Sequence, residues 1–222
     1  LSSVEKYLDI TNAIGINRDE VRWVLWYVIE RWVKLLQPVI PHMAEELWHR
    51  MGNGALVSLE PWPEYEEALI NDELDLALDL IERAIEDVQE ILRVTKITPR
   101  VVHLYVGPPN EYYQVVNEAI RLINEGRTMG ETIRAIVSNP EYKRMADRVA
   151  NLVSKVIDGT IPRKIVSREM ELRVFGELSG YIKSRINAEV VIQDAVNPTY
   201  DPSNKARSSL PGRPAVYIET MK

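Results

Sequence analysis

From Asn17 to Leu36 apolar residues recur at three- and four-residue spacing, at Val21, Val24, Leu25, Val28, Trp32, Leu35 and Leu36. That is the period of one helix face. Asn17 is a good N-cap, and Asp19 and Glu20 fall in the first turn, where the helix dipole favours acids. Trp23 and Trp26 lie off the stripe and make this helix apolar nearly all round, which places it at the centre of a bundle. Pro38 ends it. Pro41 suits the first turn of the next helix, whose apolar face is Ala44, Leu47, Trp48 and Met51 and whose stop is Gly52. After Pro61-Trp62-Pro63 a long helix is expected to start near Asn71 or Asp72. Leu74, Ala77, Leu78, Ile81, Ile85, Val88 and Leu92 line one side, and Asp75, Asp79, Glu82, Glu86 and Glu90 the other. With a short helix before Asn17, these segments form a helix bundle.

Near Thr98-Pro99 the period changes. Val101 to Val106 is β-branched and aromatic and closes at Gly107-Pro108-Pro109, so it reads as a strand. Helices follow: about Glu111 to Asn124; a short one opened by a Thr128/Glu131 capping box; one from Pro140 to Asp158-Gly159; one from about Arg168 to Ile186. Val190 to Gln193 and Ala215 to Glu219 read as two more strands, joined by a Pro-, Ser- and Asn-containing basic loop from Asn197 to Arg213. The expected fold class is α+β, mainly helical. An anticodon-binding-type helical domain over 1–97 precedes a small mixed α/β domain over 98–222 with about three strands.

Charge changes the picture more than composition does. The net charge is −6, but Lys and Arg number 13 against 24 Asp and Glu up to Tyr142, and 14 against 9 from Lys143 onward. An acidic body with a basic end suits a molecule that touches a polyanion with one part only. A thermophile-like surface rich in both signs gives the same counts. The chain has no cysteine, which excludes disulfides and thiolate zinc sites and points to a reducing, cytoplasmic setting. No apolar run approaches the roughly 20 residues of a membrane span, and no signal peptide is visible. Because helical sequence starts at Leu1, the chain reads as a piece of a longer protein.

Catalytic chemistry is not apparent. There is no Gly-rich phosphate loop. His42 and His49 lie seven apart on one helix, too far apart to share a metal ion, and His103 reads as a partly exposed strand residue on the face opposite Val102 and Leu104. The paired carboxylates, Glu45 and Glu46 among them, sit on polar faces or near helix starts, where nothing raises a pKa for acid–base work.

Leu35 to Trp48, containing Pro41-His42-Met43-Ala44-Glu45-Glu46-Leu47-Trp48, resembles the "PH-x-(A/S)-EELW" signature in the helical anticodon-binding domain of class I aminoacyl-tRNA synthetases for leucine, isoleucine, valine and methionine. Val57 to Pro63 is similar to the "S…WP" segment that follows it in that group. Asn71-Asp72-Glu73-Leu74, Val102 to Gly107, and Asp201 to Glu219 look like the C-terminal extension of archaeal-type leucyl-tRNA synthetases. The resemblance covers essentially the whole chain. It implies an RNA-binding part of a leucine–tRNA ligase that ends near the native C-terminus. The "HIGH" and "KMSKS" signatures and the editing insertion are absent here. The resemblance therefore implies no catalytic residue, metal or cofactor in this piece; ATP and magnesium belong to the complete enzyme. Its implied partners are leucine tRNA, approached at the long variable arm, and the catalytic core of the same polypeptide, with neither DNA nor membrane.

Phosphates and unpaired loops are the features by which proteins mostly recognise structured RNA. Candidate contacts are Arg163, Lys164 and Arg168 around one turn, Lys183 and Arg185 at a helix end, and Ser203, Asn204, Lys205, Arg207 and Arg213 in the last loop. Lys183 and Arg185 are also explained by the dipole at a helix C-terminus. Tyr200 is a candidate base-stacking residue or a packing residue under the loop. Two alternatives stay open. One is the tail of an isoleucyl, valyl or methionyl enzyme whose bundle reads the anticodon; the other is a docking module without direct RNA contact.

Overall fold

A computed structural model describes residues 2–220 and divides the chain into two compact units, Leu1–Asn71 and Asp72–Lys222. The first holds α1 (Ser2–Ile14), α2 (Arg18–Leu36) and α3 (Pro41–Arg50). Asn17 caps α2 as expected, its Oδ1 accepting from the Asp19 N–H at 3.0 Å. Pro41 opens α3, and Gly52, at φ +92°, stops it. The core is small: Val33, Ala44, Trp48 and Val57, with Met51 against them. Glu45 does more than favour a dipole. Its carboxylate accepts from the backbone N–H groups of Val57 (2.9 Å) and Ser58 (3.2 Å), tying the 3₁₀ turn Val57–Leu59 to α3.

The expectation that α2 is enclosed fails within this unit. Val33 is the only fully buried residue of α2, while Trp23 is 64% and Trp26 47% exposed. An all-round apolar helix needs cover on every side, and this unit covers α2 mainly with α1, α3 and the Val57 turn, while Glu60 and Glu66 reach its polar groups.

The second unit begins with α4 (Asp72–Thr95), so the contacts divide ahead of the long helix. The physical reason is its buried stripe, Ala77, Leu80, Ile81, Ala84, Ile85 and Val88, which faces the later helices. Then come β1 (Pro99–Val106), α5 (Asn110–Asn124), α6 (Met129–Val137), α7 (Pro140–Lys143), α8 (Ala146–Ile157), α9 (Arg168–Glu177), α10 (Ser179–Ile186), β2 (Glu189–Asp194) and β3 (Ala215–Thr220). The Thr128/Glu131 capping box is present on α6. The helices read as single from 140 and from 168 are each broken in two, at Met145 and at Leu178, where the backbone leaves helical geometry.

The sheet order is β2-β1-β3, with β1 parallel to β2 and antiparallel to β3. A parallel pair requires a crossover, and α5 to α10 supply it. Val115, Val116, Ala119 and Leu122 of α5 pack with Val149, Leu152, Val153 and Val156 of α8 in the main core. His103 does alternate with Val102 and Leu104, but it is buried. Gln193 donates its Nε2–H to His103 Nδ1 at 3.1 Å, while Gln193 Oε1 accepts from Thr199 and the Tyr200 N–H. This fixes the amide orientation and puts the imidazole proton on Nε2, 3.4 Å from Glu219 Oε1. The ring lies between Tyr200 and Tyr217, with centroids at 5.0 and 5.8 Å.

Candidate nucleic-acid interface

The basic loop between β2 and β3 is pinned by hydrogen bonds. Asp201 accepts from the N–H groups of Lys205 (2.7 Å) and Ala206 (3.0 Å). Ser209 donates to the Tyr105 carbonyl at 2.9 Å, and Gln193 donates to the Tyr200 carbonyl at 3.0 Å. Leu210 and Arg213 pair as a short antiparallel bridge. Ala206, Ser209 and Leu210 are buried, so the backbone beneath the tip is fixed, while Ser203, Asn204, Lys205 and Arg207 are exposed.

Glu171 holds the base of the loop. Its fully buried carboxylate accepts from Tyr113 Oη (2.6 Å), the Gly212 N–H (3.1 Å) and the Gly107 N–H (3.5 Å). Burial pushes its pKa up, against the pull of these donors and of Arg168. Both glycines are required. Gly107 (φ +66°) and Gly212 (φ +72°) are left-handed, and a Cβ on Gly107 would sit 2.8 Å from Leu172.

One cation that sequence reasoning missed organises the tip. Arg148 of α8 lies over the Tyr112 ring at 4.6 Å and donates from Nη2 to the carbonyls of Arg207 (3.1 Å) and Ser209 (3.5 Å). It has no carboxylate partner among the described residues, and its buried Nε has no hydrogen-bond acceptor. Its charge is compensated only by carbonyl dipoles and a ring, so an anion arriving from outside would find it uncommitted. In the sequence, Arg148 merely flanks the apolar stripe of α8, and nothing local signals a partner 59 residues away.

The candidate residues divide into groups. Ser203, Asn204, Lys205 and Arg207 form a crest beside Arg148, with no acid paired to either cation among the described residues. Arg163 lines a cleft of about 580 Å³ together with Arg213 and Arg83. Lys164 lines a smaller groove beside it, next to Arg83 and Gly212. Arg168 is committed to internal partners, unlike Arg163 and Lys164. It donates to the Gly107 and Pro108 carbonyls at 3.0 and 3.2 Å and grips both oxygens of Asp194 at 2.6 Å, which holds that carboxyl below its usual range despite partial burial. Lys183 pairs with Glu189 at 2.6 Å, and Arg185 lies against Tyr181, so the α10 end is occupied locally. Tyr200 packs under the loop through its backbone and its ring, which lies 5.0 Å from His103, and it stays 44% exposed.

His42 is exposed, and His49 Nδ1 contacts the Asn53 carbonyl at 2.9 Å. No group of three or more metal-ligating side chains occurs among the described residues, and no helix there is long and apolar enough to cross a membrane.

Residues 3–105 match the anticodon-binding domain of tRNA ligases. The chain is 34% identical over its full length to a leucine–tRNA ligase of Methanosarcina barkeri, 33% identical over 99% of its length to that of Ignicoccus hospitalis, and 32% identical over 90% to that of Methanothermobacter thermautotrophicus. It spans 24%, 21% and 21% of those relatives. A domain match over the first half and likeness to leucine–tRNA ligases through the tip and both outer strands lead to one conclusion: the chain belongs to the leucine–tRNA ligase family, as a part that carries its anticodon-binding domain.

Proposed function

We propose that this chain is the tRNA-holding part of a cytoplasmic leucine–tRNA ligase, positioning leucine tRNA for an aminoacylation performed by residues outside it. ATP and magnesium act in that other part, and no residue of this chain is assigned to them. The observation that carries the reading is the crest at the tip. Lys205 and Arg207 are exposed without acidic partners, on a backbone rigidified by Asp201 and Ser209, beside an Arg148 that lacks a counter-ion. A preorganised, unneutralised cation cluster suits phosphate, and the exposed Ser203 and Asn204 suit the edges of unpaired bases. The family's relatives carry leucine in their names, which selects leucine tRNA, and the long variable arm is the element assigned to the tip.

The test is binding of the chain to leucine tRNA with and without its variable arm, across a salt series. Intact tRNA is expected to bind more tightly, and Lys205→Ala with Arg207→Ala to weaken binding and lower the log–log salt slope by roughly one per lost phosphate contact. Equal affinity for both tRNAs would remove the variable-arm assignment, and no affinity even at low salt would leave only docking to the remaining polypeptide.

A further inference from the structure

The crest is not the only place where arginines converge. At the base of the tip, α4, the segment after α8 and the turn 210–214 enclose the 580 Å³ cleft. Arg83 comes from α4, Arg163 from the connection to α9, and Arg213 from the turn, so three segments far apart in sequence deliver three guanidinium groups to one cavity. Arg83 and Arg163 are exposed and unpaired among the described residues. Arg213 is held in a two-pronged pair by Asp87, Nε at 2.9 Å and Nη2 at 3.2 Å.

The acids of the cleft are mostly occupied. Asp87 is taken by Arg213, and Asp158 accepts from the Thr160 N–H at 2.9 Å and pairs with Lys155 at 3.5 Å. Glu86 alone stays unpaired, against two free guanidinium groups. The uncommitted charge is therefore positive, although the three arginines and three acids of the lining cancel formally. Ile157, which is 47% exposed, and the half-buried Pro162 give the walls an apolar part that a sugar or base can rest against. The turn itself is held, because the Gly212 N–H is bound by Glu171 and a Cβ at Gly212 would crowd Pro162 at 3.1 Å.

We propose that this cleft is a second anchoring site for the RNA backbone, separate from the crest, in which Arg83 and Arg163 take a phosphodiester and Arg213 joins them by exchanging Asp87 for phosphate. The proposal rests on the tRNA-binding reading above. Arginine suits the role because its planar fork matches phosphate as well as carboxylate, so the pair with Asp87 keeps Arg213 in place until the exchange.

The experiment measures leucine-tRNA binding by the chain over a salt series for Arg83→Ala with Arg163→Ala, for Asp87→Asn, and for the crest variant Lys205→Ala with Arg207→Ala. The cleft variant is expected to lose three- to tenfold in affinity, with the log–log salt slope reduced by one to two. Asp87→Asn is expected to bind tRNA more tightly by a similar factor, a gain that a merely structural Asp87 would not give. If the cleft variant keeps the affinity and slope of the parent while the crest variant loses both, the cleft proposal is overturned and the tRNA reading stands. If the parent shows no affinity at low salt, the underlying reading falls with it. A thermal melt of each variant separates a lost contact from a lost fold.

Discussion

The two units distribute their apolar residues in opposite ways. In the second, the amphipathic faces of α4, α5, α8 and α9 all meet partners within the unit, and Ile81, Val116, Leu152 and Phe175 are inaccessible. In the first, α2 leaves Trp23, Trp26, Ile29 and Trp32 exposed around one buried valine. Scattered surface apolar residues are ordinary, but a run of tryptophans on one helix marks an interaction surface. The contrast teaches that a hydrophobic period reports helix, not enclosure. Relatives four times longer have more chain with which to cover such a helix.

The largest expected effect is at the second unit's polar core. Glu171→Ala would leave the Tyr113 hydroxyl and the Gly212 N–H buried without acceptors, and removing one side of such a network typically costs about 3–5 kcal/mol. Chemical denaturation should show that loss, and hydrogen exchange should place it in α9 and the tip. A loss below about 1 kcal/mol would mean that the carboxylate does not hold the tip, and the contrast with the sparsely bonded first unit would weaken.

Next comes the first unit's core. Val33→Ala removes two methyl groups from the one enclosed position of α2, for about 2 kcal/mol at roughly 0.8 kcal/mol per group plus a small cavity. With so few core residues to share the loss, the first unit should melt separately and earlier. A single unshifted transition would show that Val33 is not what holds α2.

The acid limb tests Arg168. Asp194 has a lowered pKa in the fold, so its contribution is fully present above the ordinary carboxylate value of about 3.9 and is lost as pH falls through its folded pKa. Glu171 has the opposite sign: raised by burial, it favours the fold below the ordinary glutamate value and withdraws that favour as pH rises. Asp194→Asn should therefore flatten stability loss in acid, measured by urea unfolding at pH 3 to 5, while leaving the Glu171 limb in place. An unchanged acid limb would make the Arg168–Asp194 pair energetically silent.

Most of the fold could be read from the sequence because its signals are local. The Asn17 cap, Pro41 at the start of α3, the Thr128/Glu131 box and all three strands depend on residues within a few positions of each other. The division of the contacts at Asp72, the burial of His103 and the β2-β1-β3 order depend on what each face meets, which no period encodes. The site followed the same rule. Exposed loop cations at Lys205 and Arg207 were readable from composition. The inward turn of Arg168 to Asp194, the Arg213–Asp87 pair and the Arg148 clip join residues 26, 126 and 59 positions apart, beyond any local reading.

The smallest expected effect sharpens the comparison most. Trp23→Ser and Trp26→Ser alter exposed side chains outside the small core, so each should change stability by no more than about 1 kcal/mol, Trp23 less than the half-covered Trp26. If these rings belong to an interaction surface, the same changes should reduce self-association of the isolated chain, read by sedimentation across a concentration series, and leave tRNA affinity as it was. The tip and α2 lie in different compact units, so RNA affinity and self-association should respond to different substitutions. If the serine variants instead lowered tRNA affinity as strongly as the crest variant does, the tryptophans would be stacking platforms for RNA, and the binding surface would have to extend into the first unit.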